Sequence, residues 1–100
     1  MVNVEVQRFK NVDYISVSGH SGFADSGEDI VCAGVSALVF TIANKVMTIS
    51  KECLISQGEN DFTFTNSCKD DKVNLLLDTL VDGLIAIEEE YPKNIKIVEV

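Results

Sequence analysis

Basic residues are scarce in this chain of 100 amino acids: 8 Lys and Arg stand against 16 Asp and Glu, a formal net charge of −8. So little positive charge argues against a general nucleic-acid binder, because few phosphate counterions would be released on contact. It also argues against docking on an anionic membrane, and it suits a basic protein or peptide as partner. Repeats, linkers and low-complexity stretches are missing, so a single domain over residues 1–100 is expected. The opening Met1-Val2-Asn3-Val4-Glu5-Val6 lacks a signal-peptide pattern, and no apolar run reads as long enough to span a membrane. The three cysteines form no Cys-x₂₋₄-Cys pair, so a zinc site is not expected. Paired carboxylates, a phosphate-binding loop and a metal cluster are also lacking, and neither a cofactor nor a metal is expected. An odd cysteine count without a secretory pattern predicts thiols in a reducing cytosol. Histidine occurs once, as His20.

What is present is an ordinary globular composition, 46% apolar and 24% charged. A chain this short buries a modest core, which favours a shallow groove or a dimer interface over a deep pocket. Val2, Val4 and Val6 alternate with polar residues, the period of a strand, and Tyr14–Ser18 reads as a second. Lys10 to Asp13 serves as the turn between them. A glycine-punctuated loop, read as mobile, runs from Gly19 to Glu28. Asp29 is a good N-cap, and the spacing of Val31, Val35, Leu38, Val39, Ile42, Val46 and Ile49 predicts a helix to about Ile49.

Further along, Glu52–Ser56 and Asp61–Thr65 read as strands around a hairpin loop at Gln57-Gly58-Glu59-Asn60. Phe62 and Phe64 share one face. Val73, Leu76, Leu77, Leu80, Leu84 and Ile87 give a second helix, about Asp70 to Glu90, its apolar stripe. Tyr91-Pro92-Lys93-Asn94 ends it, and Ile95 and Ile97 belong to a last strand. The expected fold is α+β, a two-layer sandwich of a mixed sheet and two amphipathic helices in the order ββαββαβ.

His20 and Cys32 carry the chemical signal. Cys32 falls in the first turn of the expected helix, where unpaired N–H groups and the dipole stabilise a thiolate by roughly 0.3–1 kcal/mol. Asp29 opposes this, since a nearby carboxylate disfavours a second negative charge. A cationic His20 beside the sulfur would offset Asp29. The eleven residues between them are enough for the loop to double back. Gly22 and Gly27 permit positive φ and close approach of a substrate backbone. First-turn N–H groups offer oxyanion donors. The bland reading of the same residues is a small core cysteine and a structural histidine.

The segment Gly19-His20-Ser21-Gly22, then Gly27-Glu28-Asp29-Ile30-Val31-Cys32-Ala33-Gly34-Val35-Ser36, closely resembles the ribosomal-processing cysteine protease family called Prp. The family pattern is Gly-His-x-Gly, a short glycine-containing loop, and Gly-x-Asp-Ile-Val-Cys-Ala-x-Val-Ser. Ser21 and Gly34 stand where alanine is common, and neither change removes a reacting group. The resemblance implies that His20 is the general base and Cys32 the nucleophile of a dyad. Gly19, Gly22, Gly27, Asp29 and Ser36 would support the site or bind substrate, with Asp29 capping the helix. It implies an endopeptidase that removes the N-terminal extension of the large-subunit ribosomal protein L twenty-seven. That extension is an apolar and aromatic segment in front of a basic body. It also implies a homodimer in the bacterial cytoplasm. The loop from Gly22 to Gly27 would be a lid ordered by substrate.

Two other classes compete: a non-catalytic binding module for a basic ribosomal protein, and a thiol redox protein in which Cys32 meets peroxide. Ser36 lies inside the helix and lacks the second glycine of a nucleophile elbow. Cys53 and Cys68 lack histidine partners and read as structural or incidental thiols. Glu88-Glu89-Glu90 reads as a solvated helix end, or alternatively as a hold on basic substrate.

Overall fold

The computed structural model describes residues 1–19, 26–58, 61–68 and 70–100, with only the backbone course for 26–29. His20, Ser21, Gly22 and residues 23–25 of the expected lid lie outside the described residues, as do Glu59 and Asn60 of the hairpin loop; Ser26 and Gly27, expected at the end of that lid, instead begin a helix. The elements are β1 (Val2–Arg8), β2 (Val12–Ser18), α1 (Ser26–Ile49), β3 (Leu54–Gln57), β4 (Asp61–Thr65), α2 (Asp71–Glu90) and β5 (Ile95–Glu99). The order is the expected ββαββαβ, and the class is α+β.

The five strands form one mixed sheet in the order β3-β4-β2-β1-β5. All neighbours are antiparallel except β1 and β5. One face carries Val2, Val4, Val6, Ile15, Val17, Phe62, Phe64 and Ile95, all buried. The other face presents Asn3, Glu5, Gln7, Ser16 and Thr63 at exposed or half-buried positions. Both helices therefore cover the same face. Slipping β1, β2 or β4 by one residue would put its valines or phenylalanines in water, which fixes the register.

α1 buries Val31, Val35, Val39, Ile42, Ala43 and Val46 at three- and four-residue spacings. Most of these are β-branched and weak helix formers, so packing rather than propensity holds the helix. α2 buries Val73, Leu77, Leu80, Val81 and Leu84. Its first turn is capped by Asp70, whose carboxylate accepts from the Lys72 N–H at 2.8 Å. Glu88 is half-buried and accepts the Ile97 N–H at 2.7 Å, so it covers a donor of the edge strand β5. Of the acidic run, only Glu89 and Glu90 are the solvated end that was expected.

Three expectations need correcting. α1 begins at Ser26, so Asp29 is inside the helix and does not cap it. Ser26 and Asp29 are both residues favoured at a helix start, three positions apart, and the helix begins at the earlier one. Second, Cys53 and Cys68 are not separate thiols; they are joined as a disulfide, with Cα atoms 5.1 Å apart. The β3–β4 register, which pairs Leu54 with Thr65, brings the residue before β3 near the chain leaving β4. Third, the run Ile30–Ile49 is long and apolar enough to cross a membrane by length and composition. Lys45 is its one charged residue. Its valines are buried against the rest of the fold, as in a core helix, while Phe40 and Met47 remain exposed on its outer side.

Candidate active site

Cys32 is half-buried and lines a cavity of about 130 Å³. Five elements build it. α1 contributes Cys32, Val35, Ser36, Val39 and Phe40, successive positions along one side of the helix. β1 contributes Val2, and β2 contributes Val17 together with Gly19 just beyond its end. Gln57 and Gly58 come from the end of β3, and Asp61 and Phe62 from the start of β4. The valines and phenylalanines make most of the wall apolar. Among the described residues, polar groups enter at Cys32, Ser36, Gln57 and Asp61 and along the backbone. A small apolar cavity with a thiol on its wall is suited to holding an extended peptide with one apolar side chain inserted beside the sulfur.

Gly19 has φ +75°, which glycine adopts without steric cost. A Cβ there would lie 2.6 Å from the Met1 carbonyl oxygen. The antiparallel pairing of Asn3 with Ser18 causes this crowding, because it brings the first residue against the end of β2. Glycine at 19 thus lets the chain leave β2 at the rim of the cavity.

Of the expected site residues, the structure brings Gly19, Cys32 and Ser36 to one cavity. His20 and Gly22 lie outside the described residues. Gly27 and Asp29 are in the first turn of α1, without described side chains. Cys32 is the seventh residue of α1 and so is not in its first turn. The N–H groups without an intrahelical partner belong to residues 26–29, so Cys32 is not flanked by the oxyanion donors expected there. The dipole effect falls off within the first turn, and Cys32 lies beyond it.

Sequence reasoning missed the hairpin wall of Gln57, Gly58 and Asp61. The Gly58 N–H donates to the Asp61 carbonyl at 2.9 Å, and a Cβ at 58 would press on the exposed Asp61 carboxylate, which can turn away. The hairpin signal was legible, but its place beside Cys32 was not.

A family model described as cysteine protease Prp matches residues 1–96. The ribosomal processing cysteine protease Prp of Bacillus subtilis (strain 168) is 32% identical over 97% of this chain and 96% of its own length. The essential ribosomal processing protease Prp from S. aureus, solved with a substrate peptide, superposes with a TM-score of 0.90. It is 27% identical, and all of both chains is covered. The same S. aureus protease, solved with a covalently linked product peptide, gives 0.87 at 28% identity, again over all of both chains.

Proposed function

The chain belongs to the cysteine protease Prp family, and we propose that it removes the N-terminal extension of ribosomal protein L twenty-seven with a Cys32–His20 dyad. One observation carries this reading: Cys32 and Gly19, the residue before the only histidine, line the same apolar-walled cavity. His20 takes the Cys32 proton, and the thiolate attacks the scissile carbonyl. The C–N bond breaks as His20 returns the proton to the leaving amine. Water, deprotonated by His20, then hydrolyses the acyl-enzyme and restores the thiol. Ser36, one helical turn beyond Cys32, faces the same cavity and is positioned to hold substrate backbone. On this reading Gly22 and Gly27 leave the substrate room to approach, and Asp29 belongs to the first turn of α1.

The cavity fits this substrate class in size and polarity. It takes one apolar or aromatic side chain, and the acidic surface suits the basic body that follows the cut. The proposed compartment is the bacterial cytoplasm, where Cys32 is kept reduced. The proposed assembly is a homodimer through the outer face of α1. Ala33, Ala37, Phe40, Asn44 and Met47 are exposed there at alternating four- and three-residue steps. Two copies of a chain carrying −8 repel through their acidic surfaces and associate best through this uncharged one.

The test is to incubate the full chain and its Cys32→Ala variant with a peptide spanning the extension, and to read products by mass spectrometry. A single cut by the parent chain and none by Cys32→Ala is the expected result. Cutting by Cys32→Ala would overturn the dyad, and binding without cleavage would favour the binding module.

A further inference from the structure

We infer that Cys53 and Cys68 are a redox-modification site: a reversible disulfide, exchanged with a protein dithiol, that fixes the hairpin wall of the Cys32 cavity. The inference rests on the reading of that cavity as the peptide site. Its structural basis is the unequal anchoring of the two cysteines. Cys68 stands on fixed ground. Asn66, two residues earlier, donates from its side chain to the Val12 carbonyl at 3.0 Å and to the Asn74 side chain at 2.9 Å. Two residues later, Asp70 caps α2.

Cys53 leads into β3, which is a sheet edge bonded to β4 alone. Of the four β3 residues only Ile55 is partly buried, and Leu54 is 65% exposed. Packing therefore holds this strand weakly. At its start it is tied to the chain beyond β4 by the disulfide and by a hydrogen bond from the Ser67 hydroxyl to the Glu52 carbonyl at 2.7 Å. Its other end supplies Gln57 and Gly58 to the cavity. An extended strand transmits a shift at its base over the roughly 13 Å between Cys53 and Gln57. Closing the disulfide therefore preorganises the wall against which a peptide lies, and opening it releases the base of β3.

The chemistry is directional. Cys53 is 9% exposed, whereas Cys68 is half-buried and is the sulfur an incoming thiolate reaches. Attack there breaks the bond between the protein sulfurs and leaves a mixed disulfide on Cys68. Cys53 departs as a thiolate and takes a proton from water. The second thiolate of the reductant then attacks its own sulfur in the mixed disulfide and releases Cys68, which is protonated in turn. Two electrons and two protons reach the chain, and the dithiol becomes a disulfide. The reduced Cys68 has an acceptor at hand, since its sulfur lies 3.4 Å from the Asn66 side-chain oxygen. A disulfide in a reducing compartment is more often transient or sensing than structural, and this one lies in the same fold as a thiol nucleophile.

The experiment uses the full-length Cys32→Ala variant, which retains two cysteines and cannot cut the peptide. It is equilibrated in glutathione buffers from oxidising to reducing, then denatured, alkylated and weighed. Hydrogen exchange of residues 54–58 and affinity for the extension peptide are measured at each end of the range. The expected result is a single step from no adduct to two, faster exchange at 54–58 on reduction, and severalfold weaker peptide binding. Adding Cys53→Ser and Cys68→Ser should fix the reduced behaviour in every buffer. Two adducts in the most oxidising buffer, or exchange at 54–58 that ignores the redox state, would overturn the inference. So would a peptide affinity indifferent to it. If the oxidised variant binds no peptide, the protease reading falls, and exchange at 54–58 alone decides whether the clamp exists.

Discussion

Two glycines face the contact between α1 and α2, and they predict opposite outcomes for the same substitution. A Cβ on Gly34 would meet only Cδ1 of Ile87, at 3.4 Å. That is a contact the end of an isoleucine accommodates with a small shift. A Cβ on Gly83 would lie 2.9 Å and 3.2 Å from the two Leu38 methyls and 3.7 Å from Cγ. Both branches are blocked, so Leu38 must change rotamer or the helices must part. Alanine is favoured over glycine in a helix interior by about 0.8–1.0 kcal/mol. At Gly34 nothing opposes that gain, so Gly34→Ala stabilises by about 1 kcal/mol. For a domain of this size that is a Tm rise of roughly 4–8 °C. At Gly83, overpacking costs about 1–3 kcal/mol and cancels or exceeds the gain. Gly83→Ala is therefore no more stable than the parent chain and at least about 1 kcal/mol below Gly34→Ala. Urea unfolding followed by circular dichroism, with m-values compared across the three proteins, makes the measurement. Destabilisation by Gly34→Ala, or an equal rise in both variants, would refute the packing argument.

Three further outcomes follow from single contacts. Gly19→Ala meets both the positive φ and the Met1 carbonyl, and should cost about 2 kcal/mol or more in urea unfolding together with a lowered kcat/KM on the extension peptide. Asn66→Ala leaves the Val12 carbonyl and the Asn74 side chain without their donor, and should cost about 1–3 kcal/mol by the same unfolding assay. Arg8 bonds Glu99 at 2.8 Å and Asp78 at 2.7 Å, and these bonds, Glu99 first, raise its pKa above the ordinary guanidinium range. A raised cationic pKa contributes stability that is complete below the unfolded value and lost only above it. Arg8→Gln should therefore change stability by less than about 1 kcal/mol, and equally at pH 6 and pH 9, when thermal melts are compared.

What the sequence made legible was whatever is written in a period. The stripes of α1 and α2 and the alternation of Val2, Val4 and Val6 each report one buried face, and each reappears in the core. Gly-His and the Asp-Ile-Val-Cys run resembled a family, and that family is the one matched over residues 1–96. Three things escaped. The start of α1 was misplaced because Ser26 and Asp29 are both good N-terminal residues three positions apart, and nothing local chooses between them. The disulfide was missed because a separation of 15 residues says nothing about distance until the β3–β4 register is known. The hairpin wall was missed because the cavity draws on five elements, and only the sheet order puts β4 beside β2.

The correction to α1 changes how Cys32 is activated. A thiolate stored in the resting protein needs a local source of positive charge. With the helix starting at Ser26, Cys32 lies beyond the first turn, where the dipole acts. The helix is therefore not the source of that charge. On the proposed reading that source is the base, and the proton moves from Cys32 to His20 either as an ion pair they form together or as the peptide carbonyl is attacked. Either way, that reading leans more heavily on His20 than it would with the nucleophile in the first turn. Losing His20 should then leave little residual activity at neutral pH, and part of it should return as pH rises and hydroxide does the base's work on the thiol.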